Sequence, residues 1–314
     1  MSPAGEQAAV LTVGEALVDV VVPHGGGEPT EHVGGSPANV AIGLAALGHP
    51  SRLTAYLGDD ARGERVRAHL EGYGVRLTPG STDAPHTSTA TARLDAEGVA
   101  TYDFDLAWTV GPQDLAGVGH LHTGSIAATL EPGGSAVVDL MADTRSGATI
   151  SYDPNCRPTV MGRPEDTRQR IEECIGRADV VKASLEDVEW LYADAPESTV
   201  AREWGRLGPA LVVVTRGGDG PLVHLAGPDV TVELEPRPAT VVDTVGAGDS
   251  FMAGLLSGLL DLGLLGSTEA RERLAAADLE QIRPALDRAA ATAAWTVGRA
   301  GAASPTRQEL GQHP

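Results

Sequence analysis

The sequence predicts a three-layer α/β/α core with a mainly parallel sheet and a small β-sheet lid. Three observations lead there. Apolar strands recur at Gly119 to Thr123, Thr149 to Tyr152, Val180 to Lys182 and Leu211 to Val214, separated by helical stretches near Gly134 to Arg145, Glu165 to Gly176 and Leu185 to Tyr192. Repeated strand–helix units with apolar strands imply a parallel sheet covered on both faces. Between the early units the texture changes. Thr87 to Leu94 alternates small or apolar residues with polar ones, Asp95-Ala96-Glu97-Gly98 makes a turn, and Val99 to Phe104 returns, which reads as a hairpin standing off the main sheet. Finally, Met252-Ala253-Gly254-Leu255-Leu256 opens directly from a glycine-rich turn, and a helix with almost no polar face is buried.

At 314 residues with 42% hydrophobic content, the chain can bury one large core, and a single domain over residues 1–314 is expected. A formal charge of -20 excludes nucleic acid as a partner, because phosphate binding needs a basic surface. Cys156 and Cys174 are too few for a disulfide framework and lack metal-ligand spacing, which points to a reducing cytoplasm. Met1 to Ala9 carries no basic residue and does not read as a secretory signal, and no apolar run is long enough to span a bilayer.

In chain order, Ala8 to Val13 is a short apolar strand ending at Gly14, and Leu17 to Val22 is a second, interrupted by Asp19. A carboxylate buried in a strand is expensive, so Asp19 either faces solvent at an edge or accepts hydrogen bonds from a ligand. Gly34-Gly35-Ser36-Pro37-Ala38-Asn39 then opens a helix ending at Gly48, with Ser36 as N-cap and Pro37 as first helical residue. The two glycines let a ligand approach the backbone, and Asn39 in the first turn adds a donor and an acceptor. Arg52 to Leu57 and Ala61 to Tyr73 complete a strand–helix unit. With Leu17 to Val22 and the stretch before Gly34, the hairpin forms a small antiparallel sheet over a substrate, so the lid is about residues 15–35 and 86–106.

Ligands on such sheets bind at the carboxyl ends of the strands, and polar residues gather there. Arg157, after Asp153-Pro154-Asn155-Cys156, can grip an anion or sugar oxygens with its planar fork. Lys182, Ser184 and Asp187 follow the next strand, and Thr215-Arg216-Gly217-Gly218-Asp219-Gly220 ends the one after. His120 and His122 alternate on one strand without a nearby third ligand, which favours strand packing over a metal pair. Ser267 to Gln281 is charged and reads as a solvated surface insertion, and Asp287 to Val297 is helical.

The chemistry centres on Val241-Val242-Asp243-Thr244-Val245-Gly246-Ala247-Gly248-Asp249, a strand-like run entering the glycine turn. Gly246, Ala247 and Gly248 present backbone N–H groups at a helix N-terminus, an anion site, and Asp249 beside it suits a base that takes a proton from a hydroxyl. This Asp-Thr-x-Gly-Ala-Gly-Asp run resembles the C-terminal signature of the ribokinase-like, or PfkB, carbohydrate kinases. The likeness extends from about Val13 to Thr306, and Gly-Gly-Ser-Pro-Ala-Asn-Val-Ala at 34–41 is similar to bacterial fructokinases within that family.

The resemblance implies a ribokinase-like fold and an ATP-dependent sugar kinase, with Asp249 as catalytic base and Gly246, Ala247 and Gly248 as anion hole. It implies sugar contacts at Asp19, Gly34, Gly35, Asn39 and Arg157, and nucleotide contacts at Lys182, Ser184, Thr215, Arg216, Gly217, Gly220 and Gly248. It further implies Mg2+ acting through water near Asp187, a monovalent cation such as K+ near Asp243, and a homodimer through the lid. Ser184-x-x-Asp187 departs from the family's Asn-x-x-Glu, with shorter side chains. Fructose is the favoured sugar, with 2-keto-3-deoxygluconate and ribose as alternatives. A nicotinamide oxidoreductase is disfavoured, since Gly246-x-Gly248 lacks a third glycine at Phe251 and comes too late to open a dinucleotide-binding unit. A sugar-binding regulator without catalysis is disfavoured by the presence of Asp249 between its glycines and the helix.

Overall fold

The computed structural model describes residues 8–96 and 100–312. Residues 1–7, most of the stretch read as no leader, and 97–99, the end of the expected hairpin turn and the first residue of its return strand, lie outside the described residues. The chain runs β1 (Ala9–Val13), β2 (Leu17–Val22), β3 (Thr30–Gly34), α1 (Ser36–Ala46), β4 (Ser51–Thr54), α2 (Ala61–Gly72), β5 (Arg76–Leu77), β6 (Thr89–Leu94) and β7 (Ala100–Asp105). It continues through β8 (Val118–Gly124), α3 (Gly133–Thr144), β9 (Thr149–Asp153), α4 (Pro158–Met161), α5 (Pro164–Arg177), β10 (Val180–Ser184), α6 (Leu185–Tyr192) and α7 (Glu197–Leu207). Then come β11 (Leu211–Thr215), β12 (Leu222–Leu225), β13 (Val230–Glu233), α8 (Ala247–Asp261), α9 (Thr268–Ala276) and α10 (Leu279–Val297).

The main sheet has the order β13-β12-β11-β10-β9-β8-β1-β4-β5 and is parallel except for β12 and β13. Alternation along its strands separates two cores. Leu11, Val13, Val212 and Val214 face α3, α5, α6 and α7, whereas Val10, Leu211 and Val213 face α1, α8, α9 and α10. That division is the three-layer arrangement, and it follows from side chains pointing to opposite faces at successive positions. On the second face α8 is buried from Asp249 to Leu259. A Cβ at Gly254 would lie 2.3 Å from Thr292 Oγ1 and one at Gly258 2.4 Å from Ala285 Cα, so these glycines let α10 pack closely on α8. The direction of strand addition reverses between β1 and β8, which makes the carboxyl ends of those strands the switch point.

The second sheet has the order β3-β2-β6-β7. It was expected to be antiparallel, but its central pair, β2 with β6, is parallel. The two strands leave the core at different crossovers, and α1, β4, α2 and β5 lie between them in the chain. Arg62 and Arg65 on α2 both bond Glu31 on β3, and Thr87 donates its N–H and hydroxyl to Asp60 at 2.8 Å each, so this sheet is tethered to the core.

Four further expectations are corrected. Val241 and Val242 form no strand and are 64% and 63% exposed: the segment does not pair with β13 and hangs instead from the end of α10 through Val242 N–H to Val297 O. Ser36 is not the cap of α1; Gly35 holds that place and the Ser36 hydroxyl is used elsewhere. The strand expected to reach Leu57 ends at Thr54. The charged stretch 267–281 is docked: Ala270 and Leu274 are buried, and Arg271 donates to Asp179 at 2.7 Å and to the carbonyls of Arg145 and Ala148. His120 and His122 pack in the sheet and bond Thr149 and Ser151, and burial lowers the pKa of both.

Candidate active site

Gly246 precedes α8 in the left-handed conformation, φ 74, and a Cβ there would meet Ala302 Cβ at 2.4 Å. The turn it makes uses two of the first N–H groups internally: Ala247 donates to Thr244 O at 3.2 Å and Ser250 to Gly246 O at 2.8 Å. Among the described residues this leaves the N–H groups of Gly246, Gly248 and Asp249 open at a positive helix end, where an anion is held well. The Ala247 N–H, expected in that set, is spent on the turn itself.

Asp249 is 9% exposed. Its Oδ1 accepts the Ser36 hydroxyl at 2.6 Å and its Oδ2 accepts the Asn39 amide at 2.8 Å. Both donors lie in the first turn of α1, so the N-termini of α1 and α8 converge on one carboxylate. They can do so because the helices touch: a Cβ at Gly43 would stand 2.5 Å from Ala253 Cβ. Each oxygen that accepts one hydrogen bond keeps a lone pair for an incoming hydroxyl.

Asp19 and the double glycine share the neighbouring corner. A Cβ at Gly34 would lie 2.0 Å from Asp19 Oδ2, so the carboxylate stands directly over that glycine. Gly35, φ 109, brings the entry of α1 against the β1–β2 turn, where its Cβ would meet Glu15 O at 2.4 Å. Burial raises the pKa of Asp19, opposed by His32 and Arg157. The Arg157 guanidinium is exposed on its loop and donates through Nη1 to Asn155 Oδ1 at 2.8 Å and to the carbonyls of Asn155 and Cys156 at 3.1 and 3.0 Å. Its positive charge opposes the rise in the pKa of both Asp19 and Glu15.

The residues expected at the nucleotide side are spread along the ends of β10 and β11. Ser184 caps α6 and makes a capping box with Asp187, whose Oδ2 accepts the Ser184 N–H at 2.8 Å and hydroxyl at 2.9 Å. Asp187 Oδ1 accepts the Cys156 N–H at 2.6 Å, which ties the Arg157 loop to α6. Thr215 donates to Ala183 O at 3.3 Å. Arg216 is folded into its own turn, donating to Gly220 O at 2.9 Å and Glu233 at 3.0 Å, with Glu197 at 3.5 Å. Gly217 and Gly220 both have positive φ, and Gly220 is pressed against Leu234 O. Asp243 accepts Val245 N–H at 3.0 Å and Gly301 N–H at 2.8 Å, and those donors hold its pKa low. Lys182 is almost fully buried beneath the glycine turn.

Two functional candidates escaped sequence reasoning. Ser36 was assigned to capping. Glu15, buried just past the end of β1, has Ser125, just past the end of β8, as a neighbour that opposes the rise in its pKa, and its Oε2 has no partner among the described residues. Its signal was a charged residue directly after Gly14 at the end of an apolar strand, where sequence reasoning singled out Asp19 alone. Ser125, φ 53, and Asn155, φ 37, are non-glycine residues with positive φ at the ends of β8 and β9, where strained backbone marks functional sites.

Burial pushes the Glu15 carboxyl up to about 7, with Arg157 opposing and Asp249 reinforcing the shift. A carboxyl raised in the folded state binds more protons there than when unfolded. Stability therefore falls as pH rises from 4.5 to about 7. Glu15→Gln removes that cost: denaturant unfolding should show the variant more stable than the parent at pH 8, by on the order of 3 kcal/mol, with the difference vanishing by pH 4.5. Equal stabilities at pH 8 contradict the buried-acid reading.

The family model for pfkB family carbohydrate kinases matches residues 7–309. The chain belongs to that family. Fructokinase of Klebsiella pneumoniae is 36% identical over 265 residues, covering 81% of this chain and 85% of the relative. Escherichia coli fructokinase is 33% identical, with 96% and 98% covered. Among solved structures, Xylella fastidiosa fructokinase with bound ATP superposes with a TM-score of 0.82 at 26% identity, covering 96% of both chains. A double mutant of Vibrio cholerae O395 fructokinase, with fructose, ADP and potassium ion bound, gives 0.78 at 27% identity and 97% of both chains. The kinase therefore has the ribokinase-like fold, with a small lid sheet beside the main one, and transfers a phosphoryl group to a sugar hydroxyl. No helix among the described residues is long and apolar enough to cross a membrane.

Proposed function

We propose that the kinase phosphorylates fructose with ATP as donor. The observation that carries the mechanism is Asp249, buried at the meeting of two helix N-termini beside the open N–H groups of Gly246, Gly248 and Asp249. The sugar lies in the corner of Asp19, Gly34, Gly35, Asn39 and Arg157. Its hydroxyl oxygen forms the new bond to the γ-phosphorus while the bond from that phosphorus to the bridging oxygen of ADP breaks. Asp249 takes the hydroxyl proton, and the open N–H groups hold the charge on the moving group. The choice of fructose rests on the named relatives at 33–36% identity. An ADP-release screen against ketoses, aldoses and keto-sugar acids tests it: the largest kcat/KM falls on fructose, and a flat response contradicts the kinase reading.

ATP enters on the β10 and β11 side, over Lys182, Ser184 and the turn of Thr215, Arg216, Gly217 and Gly220. We assign Mg2+ to the nucleotide phosphates and water rather than to a cage of protein carboxylates. Mg2+ held in that way neutralises phosphate charge. Asp187, with both oxygens engaged, is then a brace and an electrostatic neighbour of the ion acting across water. Asp243, which ties the 301 turn to the approach of α8, is the group we assign to K+; turnover in K+ against Na+ checks it. Free, buried Cys156 and Cys174 suit a reducing cytoplasm.

Arg157→Ala should lower kcat/KM for the sugar about ten- to a hundredfold, the loss of one charge-assisted contact, and leave the KM for ATP nearly unchanged. Equal changes in both would move Arg157 to the phosphate side. The lid carries the dimer contact in this reading: Tyr102 is 56% exposed on the edge strand β7, stacked on Phe104 at 6.1 Å, and an unpaired strand edge invites a partner. Sedimentation should give a dimer at micromolar concentration; a fully active monomer removes the claim.

A further inference from the structure

Lys182 and Asp153 sit on neighbouring strands, β10 and β9, at the ends that face the site. The ammonium is 2.8 Å from Asp153 Oδ2, with side chains 4% and 1% exposed. It also donates to Gly248 O at 3.3 Å, and a Cβ at Gly248 would stand 3.1 Å from Nζ. Neither Asp153 oxygen has a hydrogen-bonding partner with good geometry among the described residues, so the lysine is its whole compensation. Burial alone would lower the lysine pKa, but Asp153, Asp249 and Asp187 outweigh it, and the ammonium stays charged.

A buried ion pair of this kind is a poor stabiliser, since apolar replacements of similar volume are often neutral or better. Its position explains it instead. Lys182 is the sole lysine among 23 cationic residues, arginine serving everywhere else. An ammonium is compact and spreads three donors around one point, whereas a planar guanidinium needs more room than the gap under Gly248 offers. The Gly248 carbonyl belongs to the planar peptide that carries the Asp249 N–H on its opposite side. Fixing the carbonyl from below therefore fixes the aim of an open N–H and the start of the Asp249 side chain.

We propose that Lys182, held by Asp153, is a positioning residue for phosphoryl transfer, pinning the glycine turn from beneath and placing a fixed positive charge under the anion site. This rests on the kinase reading above and reassigns Lys182 from contact with the nucleotide to support of the turn. The test compares the parent, Lys182→Met, Asp153→Asn and the double variant with fructose and ATP, together with calorimetric binding of ADP alone and of ADP with aluminium fluoride and fructose, a mimic of the transferring phosphoryl group. Lys182→Met should lower kcat about a hundredfold, the usual size for a lost oxyanion-type contact, and weaken the mimic in proportion. Both KM values and ADP affinity should change less than about threefold. The double variant, free of any uncompensated charge, should regain the parent's melting temperature but not its kcat. Recovery of kcat along with stability in the double variant overturns the proposal, because the pair would then be mere charge compensation. Loss confined to KM for ATP also overturns it, in favour of a direct nucleotide contact. A parent that phosphorylates no sugar removes the kinase reading and this proposal together, an outcome separate from an active parent with an active double variant.

Discussion

Asp249→Asn should lower kcat by about 10²–10⁴, the range for loss of a general base, while sugar and ATP bind with much smaller changes. The geometry makes this a clean substitution. The asparagine carbonyl still accepts the Ser36 hydroxyl, now bonded to Asp249 at 2.6 Å, and a flipped Asn39 amide can accept from the new NH2 in place of donating at 2.8 Å. The first turns of α1 and α8 stay joined, so thermal stability should hardly fall. What disappears is an oxygen able to take a proton at the end of the anion site. Single-turnover kinetics separate the chemical step from binding. A variant turning over within a few-fold of the parent would make Asp249 only a tie between the two helices.

Gly246→Ala is the second large effect, and it acts through the backbone. The left-handed φ of 74 costs alanine about 1–2 kcal/mol, and the new methyl would meet Ala302 Cβ at 2.4 Å. Relief requires the turn to move, and the open N–H groups move with it. A displacement of about 1 Å in such a site costs roughly a hundredfold in rate. We expect kcat to fall by about that factor, with Tm lower and sugar affinity nearly intact, because Asp19 and Gly34 lie on the separate lid sheet. Unchanged turnover would show that the turn tolerates another path and that its N–H groups do not hold the transferring phosphoryl.

Much of this was legible in the sequence where periodicity carries the signal. Continuous apolar strands such as Leu211 to Val214, recurring between helical stretches, announced the parallel sheet, and the nearly nonpolar run after Asp249 announced a buried helix. Elements with a weaker pattern were missed or misread. Helix α7 was passed over although Val200, Ala201 and Trp204 mark its buried face. Val241 and Val242 look like a strand to any local reading, and only their tie to the end of α10, made in tertiary structure, decides against it. Site contacts were the least legible, because side-chain partners are set by topology. Ser36 and Asn39 meet Asp249 across more than 200 residues, and Lys182 meets Asp153 only because β9 and β10 are neighbours. The residue types were visible; the pairings became visible only once the strand ends were brought together.

The most direct test of the central claim is phosphorus NMR of the purified protein with ATP, Mg2+ and fructose, followed through one full conversion. The γ-phosphate signal should be replaced by a phosphomonoester signal coupled to a sugar proton, one for each ADP formed, and Asp249→Asn should slow that exchange without altering the product. ADP appearing with free inorganic phosphate and no sugar phosphate, or no conversion with any sugar of the panel, would contradict the account.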